Sequence, residues 1–134
     1  MTTSESTGDA DRARRIADLE AEREEMERIK RLDIEDGVPA LKRLIKVAQG
    51  SSGQCPRVAS FLAGCYNGIR CPVDLTDLSA LDFALSEDIL RVLRMDRWRQ
   101  REVHDYIDNG SAIFEAIIAR WGLDKRFTRA AGSE

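Results

Sequence analysis

The sequence is poor in the residue types that carry catalysis and metal binding. It contains one histidine, His104, and three cysteines, Cys55, Cys65 and Cys71, which are ten and six positions apart. Zinc sites commonly use close pairs such as CxxC or HxxxH, and disulfide frameworks use an even number of cysteines. These spacings disfavour a Cys₃His zinc site, so we predict reduced thiols and no metal or cofactor.

Long apolar runs are absent as well. No stretch approaches the roughly 18 apolar residues that a membrane-spanning helix needs. The N-terminus, MTTSESTGDADRARR, has no apolar run behind its charges and does not resemble a secretory signal. We therefore predict a cytoplasmic protein that does not interact with a membrane.

Strand patterns are missing, whereas helical ones recur. No alternation of apolar and polar residues persists over the length of a strand, and 43% of the 134 residues are hydrophobic, enough for one domain with a core. Helical spacing is clear in PALKRLIKVAQG, in SEDILRVL and in the stretch that ends at Trp121. The sequence predicts an all-α fold, a compact bundle of five to six helices with a long charged N-terminal helix.

The charge is unevenly distributed. Residues 1–36 carry twelve acids and seven bases, a net of −5, and the rest of the chain carries +2. We predict an acidic helical arm over 1–36, a helical core domain over 37–122 and a tail over 123–134. The arm has a thin apolar seam of Ile16, Leu19, Met26 and Ile29, interrupted by Arg23. DIEDGVP is predicted to break the arm from the next helix.

Helix boundaries follow from residue types. Pro39 suits a first helical turn, and Gly50 and Gly122 suit positions just past a helix end. Ser86 is predicted to cap a long helix that buries Ile89, Leu90 and Leu93. The acids of DLTDL, Asp74 and Asp77, are expected to cap a short helix rather than to act as an acid–base pair.

Besides the disfavoured zinc site, the stretch GSSGQCPRVASFLAGCYNG, residues 50–68, has two chemical interpretations, a phosphate-binding loop and a reactive thiol, and one structural interpretation. It lacks the lysine and hydroxyl of a phosphate-binding loop. Cys55, placed before Pro56 as an N-cap and close to Arg57, is the best candidate for a reactive thiol, but His104 is the one available histidine base. A helix–hairpin junction is favoured, with Val58, Phe61, Leu62 and Cys65 on one core face.

The order of these pieces resembles a family of uncharacterised short proteins from bacterial plasmids, integrative elements and prophages. The shared pieces are GQ at 53–54, RVASFL at 57–62, Asn67, DLTDL at 74–78 and Asp88, and they cover roughly 38–122. The resemblance implies a bacterial mobile element but no activity. Small proteins of such elements are often interaction modules or inhibitors of host defence complexes. This expectation comes from analogy with other proteins and not from the chemistry of particular residues in this chain.

The segment RVLRMDRWRQR, residues 91–101, contains five arginines in eleven residues. Helical spacing places Arg91, Arg94, Trp98 and Arg101 on one stripe. Arginine with tryptophan suits contacts to phosphate, to bases or to a peptide. A solvated helix face is the alternative, since arginines near a helix C-terminus are also favoured by its dipole.

These observations predict a non-enzymatic helical interaction protein that binds a protein complex of the host or the element through the arginine–tryptophan stripe. Inhibition of a CRISPR-type host defence system is one candidate role. An accessory protein that binds nucleic acid directly through the stripe is the alternative. A homodimer through the N-terminal helix is a further candidate partnership.

Overall fold

The computed structural model describes residues 2–126, with side chains from Thr7 onward. Its α-helices are α1 (Thr2–Ala48), α2 (Cys55–Tyr66), α3 (Phe83–Asp96) and α4 (Gly110–Trp121), and two 3₁₀ helices lie at Leu75–Ala80 and Val103–Tyr106. No β-strand occurs between residues 2 and 126. The predicted all-α fold with a long charged N-terminal helix is confirmed.

The predicted break at DIEDGVP is wrong, because α1 continues through Gly37 and Pro39. A proline inside a helix usually costs about 3 kcal/mol, since it removes one backbone hydrogen bond and crowds the preceding turn. Here Pro39 lies on the exposed side of α1, where solvent can bond to the carbonyl group left free. Burial of the opposite side, through Ala40 and Leu41, stabilises the continuous helix.

The core forms where the C-terminal half of α1 packs across α3 and α2, with α4 against α2. A buried leucine contributes roughly 1.5–3 kcal/mol relative to an exposed one. Trp121 closes the end of α1, since its Nε1 donates a hydrogen bond to the Ala48 carbonyl oxygen at 2.7 Å. The largest fully buried side chains are Phe114, Leu41, Leu44, Leu62, Met95, Ile117, Val58, Val92 and Val103.

The start and the buried side of α3 differ from the prediction. Asp82, not Ser86, caps the helix, because its Oδ1 accepts a hydrogen bond from the Leu85 amide at 3.1 Å. The helix buries Ile89, as predicted, but the predicted burial of Leu90 and Leu93 is wrong, since both are exposed. Aspartate and serine are equally good N-caps, so the sequence offers both starts and packing against α1 selects the earlier one.

Gly122 and Asp74 mark helix boundaries, as predicted. Gly122 ends α4 in the left-handed conformation, at φ +62°. Asp74 caps the first 3₁₀ helix, since its Oδ1 accepts a hydrogen bond from the Thr76 amide at 2.9 Å.

An ion-pair network fixes the chain beyond α4. Arg70 places Nη1 at 2.8 Å from Glu115 Oε2 and Nη2 at 2.8 Å from Asp124 Oδ2. The Arg70 guanidinium lowers the pKa of Glu115 to about 2, and the Tyr66 hydroxyl donates a further hydrogen bond to that carboxylate. The first residues of the predicted tail are thus packed on the body, and residues 127–134 lie outside the described part.

The N-terminal half of α1 projects from the body as a solvated rod. Every side chain from Thr7 to Arg28 is exposed, including the seam residues Ile16, Leu19 and Met26. At 1.5 Å per residue this segment is about 33 Å long. The arm predicted from its charge therefore exists as a helix, but it is the same helix that enters the core.

Gly37 allows the close approach of α1 and α3. A Cβ atom at this position would lie 2.5 Å from Met95 Cβ. We expect Gly37→Ala to lower the free energy of unfolding by about 1–3 kcal/mol, because Met95 or the helix must move. Gly8→Ala in the same helix, where a Cβ meets nothing within 4 Å, is the control and should change stability by less than ~0.5 kcal/mol. Urea unfolding followed by tryptophan fluorescence measures both, and equal stability of the two variants would contradict the packing argument.

Removal of residues 1–28 should leave a cooperatively folding body, because none of the described side chains in that segment is buried. The urea midpoint, again followed by tryptophan fluorescence, should match that of the full chain. A soluble truncated chain without a cooperative transition would show instead that the arm belongs to the folding unit.

Candidate functional site

Arg91, the first predicted stripe residue, takes part in an ion-pair network between α1 and α3. Its Nη1 donates to Asp88 Oδ1 at 2.9 Å, and its Nε lies 3.5 Å from Asp36 Oδ2. Arg43 of α1 binds the same Asp88 with two hydrogen bonds of 2.8 and 2.9 Å. The hydrogen bonds from Arg43 and Arg91 hold the pKa of the buried Asp88 below its usual range, against the effect of burial. Arg91 therefore already has two carboxylate partners within the chain.

Trp98 is also bound within the chain. Its Nε1 donates a hydrogen bond to Asp33 Oδ2 of α1 at 2.8 Å, and Arg97 Nη2 donates to the same oxygen at 2.9 Å. The Arg97 guanidinium carbon lies 4.9 Å from the centre of the Trp98 ring. Burial raises the pKa of Asp33, but the hydrogen bonds from Trp98 and Arg97 outweigh it, so the pKa is lowered.

The four predicted site residues do not form one helical stripe. Helix α3 ends at Asp96, and Arg99 turns the chain with φ +50°, so Trp98 and Arg101 lie beyond the helix. Arg94 is exposed on α3, whereas Arg101 is exposed on the following loop, with its guanidinium carbon 5.8 Å from the Tyr106 ring centre. A stripe of these four residues requires a helix up to residue 101, and no sequence signal predicts the left-handed conformation of Arg99 that follows the helix end.

A surface that the sequence analysis missed lies on α3 itself. Phe83 is 78% exposed, Leu90 44% and Leu93 43%. Positions 83, 90 and 94 lie on one side of an α-helix, opposite the buried Val92, and position 93 lies at the edge of that side, next to the buried Ile89. We call Phe83, Leu90, Leu93 and Arg94 the outer face of α3. The seven-residue spacing of Phe83 and Leu90 could have predicted it, had the leucines not been assigned to the core.

A groove of about 270 Å³ adjoins this face, between α2, α3 and the first 3₁₀ helix. Leu93 belongs to both surfaces. Burial raises the pKa of Cys65 to about 12, so this thiol stays protonated near neutral pH. The groove is lined by Phe61, Gly64, Cys65, Val73, Leu75, Leu78, Leu93, Asp96 and Arg99.

The candidate thiol and the histidine both contact neighbouring side chains within the chain. Gln54, not Cys55, is the N-cap of α2, and the buried Cys55 is the first helical residue with its Sγ 3.2 Å from Ser52 Oγ. The His104 ring packs edge-on against Tyr66, with ring centres 5.1 Å apart. Across residues 2–126 no group of three or more histidine, cysteine or acidic side chains is placed to hold a metal ion.

Comparison with known proteins identifies the body of the chain. The model of DUF7673, a family of unknown function, matches residues 38–122. The chain belongs to the DUF7673 family. The shared sequence pieces predicted a family resemblance over roughly the same residues, 38–122. Neither a curated protein nor a solved structure matches the chain.

The DUF7673 region contains α2, α3, α4, the groove and the outer face of α3, but it begins after Asp33 and Asp36. These two aspartates nevertheless bind Trp98 and Arg91 of the DUF7673 region.

In the described residues, no helix combines the length and the apolar character that crossing a membrane requires.

The hydrogen bond from Trp98 to Asp33 should stabilise the folded protein. We expect Asp33→Ala to lower the free energy of unfolding by about 1–2 kcal/mol, because the indole N–H loses its acceptor. Asp18→Ala, an exposed carboxylate on the same helix, is the matched control. Since the pKa of Asp33 is lowered in the folded state, Asp33 adds to the free energy of unfolding above pH ~4. This contribution is lost as the pH falls through the pKa of the folded state. Urea unfolding at neutral and acidic pH measures this, and an equal loss from Asp33→Ala at both pH values would refute it.

Proposed function

We propose that this DUF7673 protein is a non-enzymatic interaction protein that binds a protein complex through the outer face of α3. The observation that supports this most is the exposure of Phe83, Leu90 and Leu93 on one side of one helix. Contiguous exposed apolar side chains on a small domain often mark a protein interface. Arg94 continues the same face, and arginine is enriched in interface hot spots.

The pairing of the arginines favours a protein over nucleic acid. Affinity for nucleic acid depends mainly on cations that neutralise phosphates. Arg91 and Arg97 already bind carboxylates, and the Trp98 indole N–H is used by Asp33. Arg94 and Arg101 remain exposed, which supports direct nucleic-acid binding as the second candidate function.

The non-enzymatic part of the proposal is supported by the state of the thiols. Burial raises the pKa of Cys71 as well as that of Cys65, and thiolates rather than thiols are nucleophiles. Cys55 is buried at the start of α2.

The biological setting in this proposal is the cytoplasm of a bacterium that hosts a mobile element. The target is a complex of the host or of the element, with inhibition of a CRISPR-type defence system as the candidate role. This part depends on the family resemblance and not on the geometry of α3. The exposed seam on the arm adds self-association through α1 as a candidate partnership.

The test compares two exposed apolar sites. The variant Phe83→Ser/Leu90→Gln removes two of the three apolar side chains of the outer face. The control Ile69→Ser removes an isoleucine that is 90% exposed on a loop between α2 and the first 3₁₀ helix. Partners captured by the wild-type protein from a bacterial host are identified, purified and titrated by calorimetry. We expect the α3 variant to weaken binding by at least ~30-fold, as for loss of an interface hot spot, and Ile69→Ser to change it less than twofold.

Two results would overturn the proposal. One is wild-type affinity of the α3 variant for the purified protein partner. The other is capture that nuclease treatment abolishes and that weakens steeply with salt, which would establish nucleic-acid binding instead.

A further inference from the structure

The groove beside the outer face of α3 combines apolar walls with charged groups. Most of its lining residues are apolar, and Leu75 and Leu93 are also exposed to solvent. Two charged side chains, Asp96 and Arg99, line the same space. A long basic side chain can bury its aliphatic stem on such a wall and carry its charge to a polar group.

One carboxylate oxygen of the half-buried Asp96 lacks a hydrogen-bond partner within the described part of the chain. Its Oδ1 is buried, and no group in the described residues forms a hydrogen bond with it. Most buried polar atoms in folded proteins have at least one hydrogen-bond partner. Burial raises the pKa of Asp96, which means that the surroundings do not fully compensate its negative charge.

The charged neighbours of Asp96 do not fully compensate its negative charge. The positive charge of Arg99 opposes the rise in the pKa of Asp96, whereas Glu102 adds to it. The Tyr106 hydroxyl is also buried without a hydrogen-bond partner in the described residues. Burial raises the pKa of Tyr106, the positive charge of Arg101 opposes this rise, and the negative charge of Asp96 adds to it. The groove thus contains a carboxylate with one oxygen that lacks a hydrogen-bond donor among the described residues and a negative charge that Arg99 compensates only in part.

We infer that this groove binds a lysine or arginine side chain of the protein partner, with its aliphatic stem against Leu75 and Leu93 and its charged end at Asp96. The inference rests on the proposed function, because it assigns the groove to the same partner that covers the outer face. A protein partner is favoured over a free amine because Leu93 joins the groove to Phe83 and Leu90, so one chain can cover both.

The experiment uses matched probes on the full-length protein. Acetyl-Leu-Lys-amide is compared with acetyl-Leu-norleucine-amide, which has the same aliphatic stem without the ammonium group. Amide chemical shifts of Gly64, Cys65 and Leu93 follow the titrations. We expect the lysine peptide to bind about tenfold more tightly, as a charge-assisted hydrogen bond would give.

Two variants test the role of Asp96. Asp96→Asn should bring the two peptides to within twofold of each other and leave the affinity of the norleucine peptide unchanged. The control Asp108→Asn alters an exposed aspartate outside the groove and should preserve the tenfold preference. Equal binding of the two peptides to the wild type, a preference that survives in Asp96→Asn, or shifts that do not saturate with either peptide would each overturn the inference.

Pentane-1,5-diamine separates the two sources of an ammonium group. Weaker binding of the diamine than of the lysine peptide supports a protein side chain, and equal or tighter binding overturns that assignment. The peptide titrations do not involve Phe83 or Leu90, so they can fail while the outer face still binds its partner. Conversely, Phe83→Ser/Leu90→Gln can leave partner binding intact while the lysine preference at Asp96 persists.

Discussion

The packing of α1 across α3 determines the form of the rest of the structure. Gly37 lets Met95 of α3 approach the backbone of α1, and the carboxylates of Asp33, Asp36 and Asp88 are bound on either side of this contact. Once α3 lies against α1 in this orientation, Ile89 and Val92 must face inward. Phe83, Leu90 and Leu93 must then face solvent, so the exposed apolar surface is a direct result of the way in which α1 binds α3.

The ion pairs between the two helices define orientation more than they add stability. Partly exposed pairs contribute little net free energy, because the Coulomb attraction is offset by desolvation and by lost side-chain freedom. Their geometry is nevertheless specific, since Arg43 binds Asp88 with two parallel hydrogen bonds and Trp98 donates to a single oxygen of Asp33. Apolar burial is the larger source of stability, and the charged contacts add directional constraints between α1 and the segment from α3 to Trp98.

Much of the fold could be predicted because local patterns determine it. Helical spacing, Gly122 as a helix end and Asp74 as a cap are properties of short segments. The errors arose where packing decides between equal local choices: Asp82 and Ser86 are both good caps, and a proline in α1 is tolerated on its exposed side. The site was harder to predict, because the use of Arg91 and Trp98 depends on aspartates more than fifty residues earlier. The unpartnered Asp96 depends on burial, which no local pattern encodes.

The unbroken helix α1 transmits a tilt at its packed end to the far end of the arm. Because α1 runs unbroken from the arm into the part that packs on α3, a tilt of about 10° at the base would move the far end of the ~33 Å arm by roughly 6 Å. A small adjustment around Gly37 would therefore be amplified at the tip of the arm. Any molecule held at that tip would in turn constrain the angle between the arm and the outer face of α3.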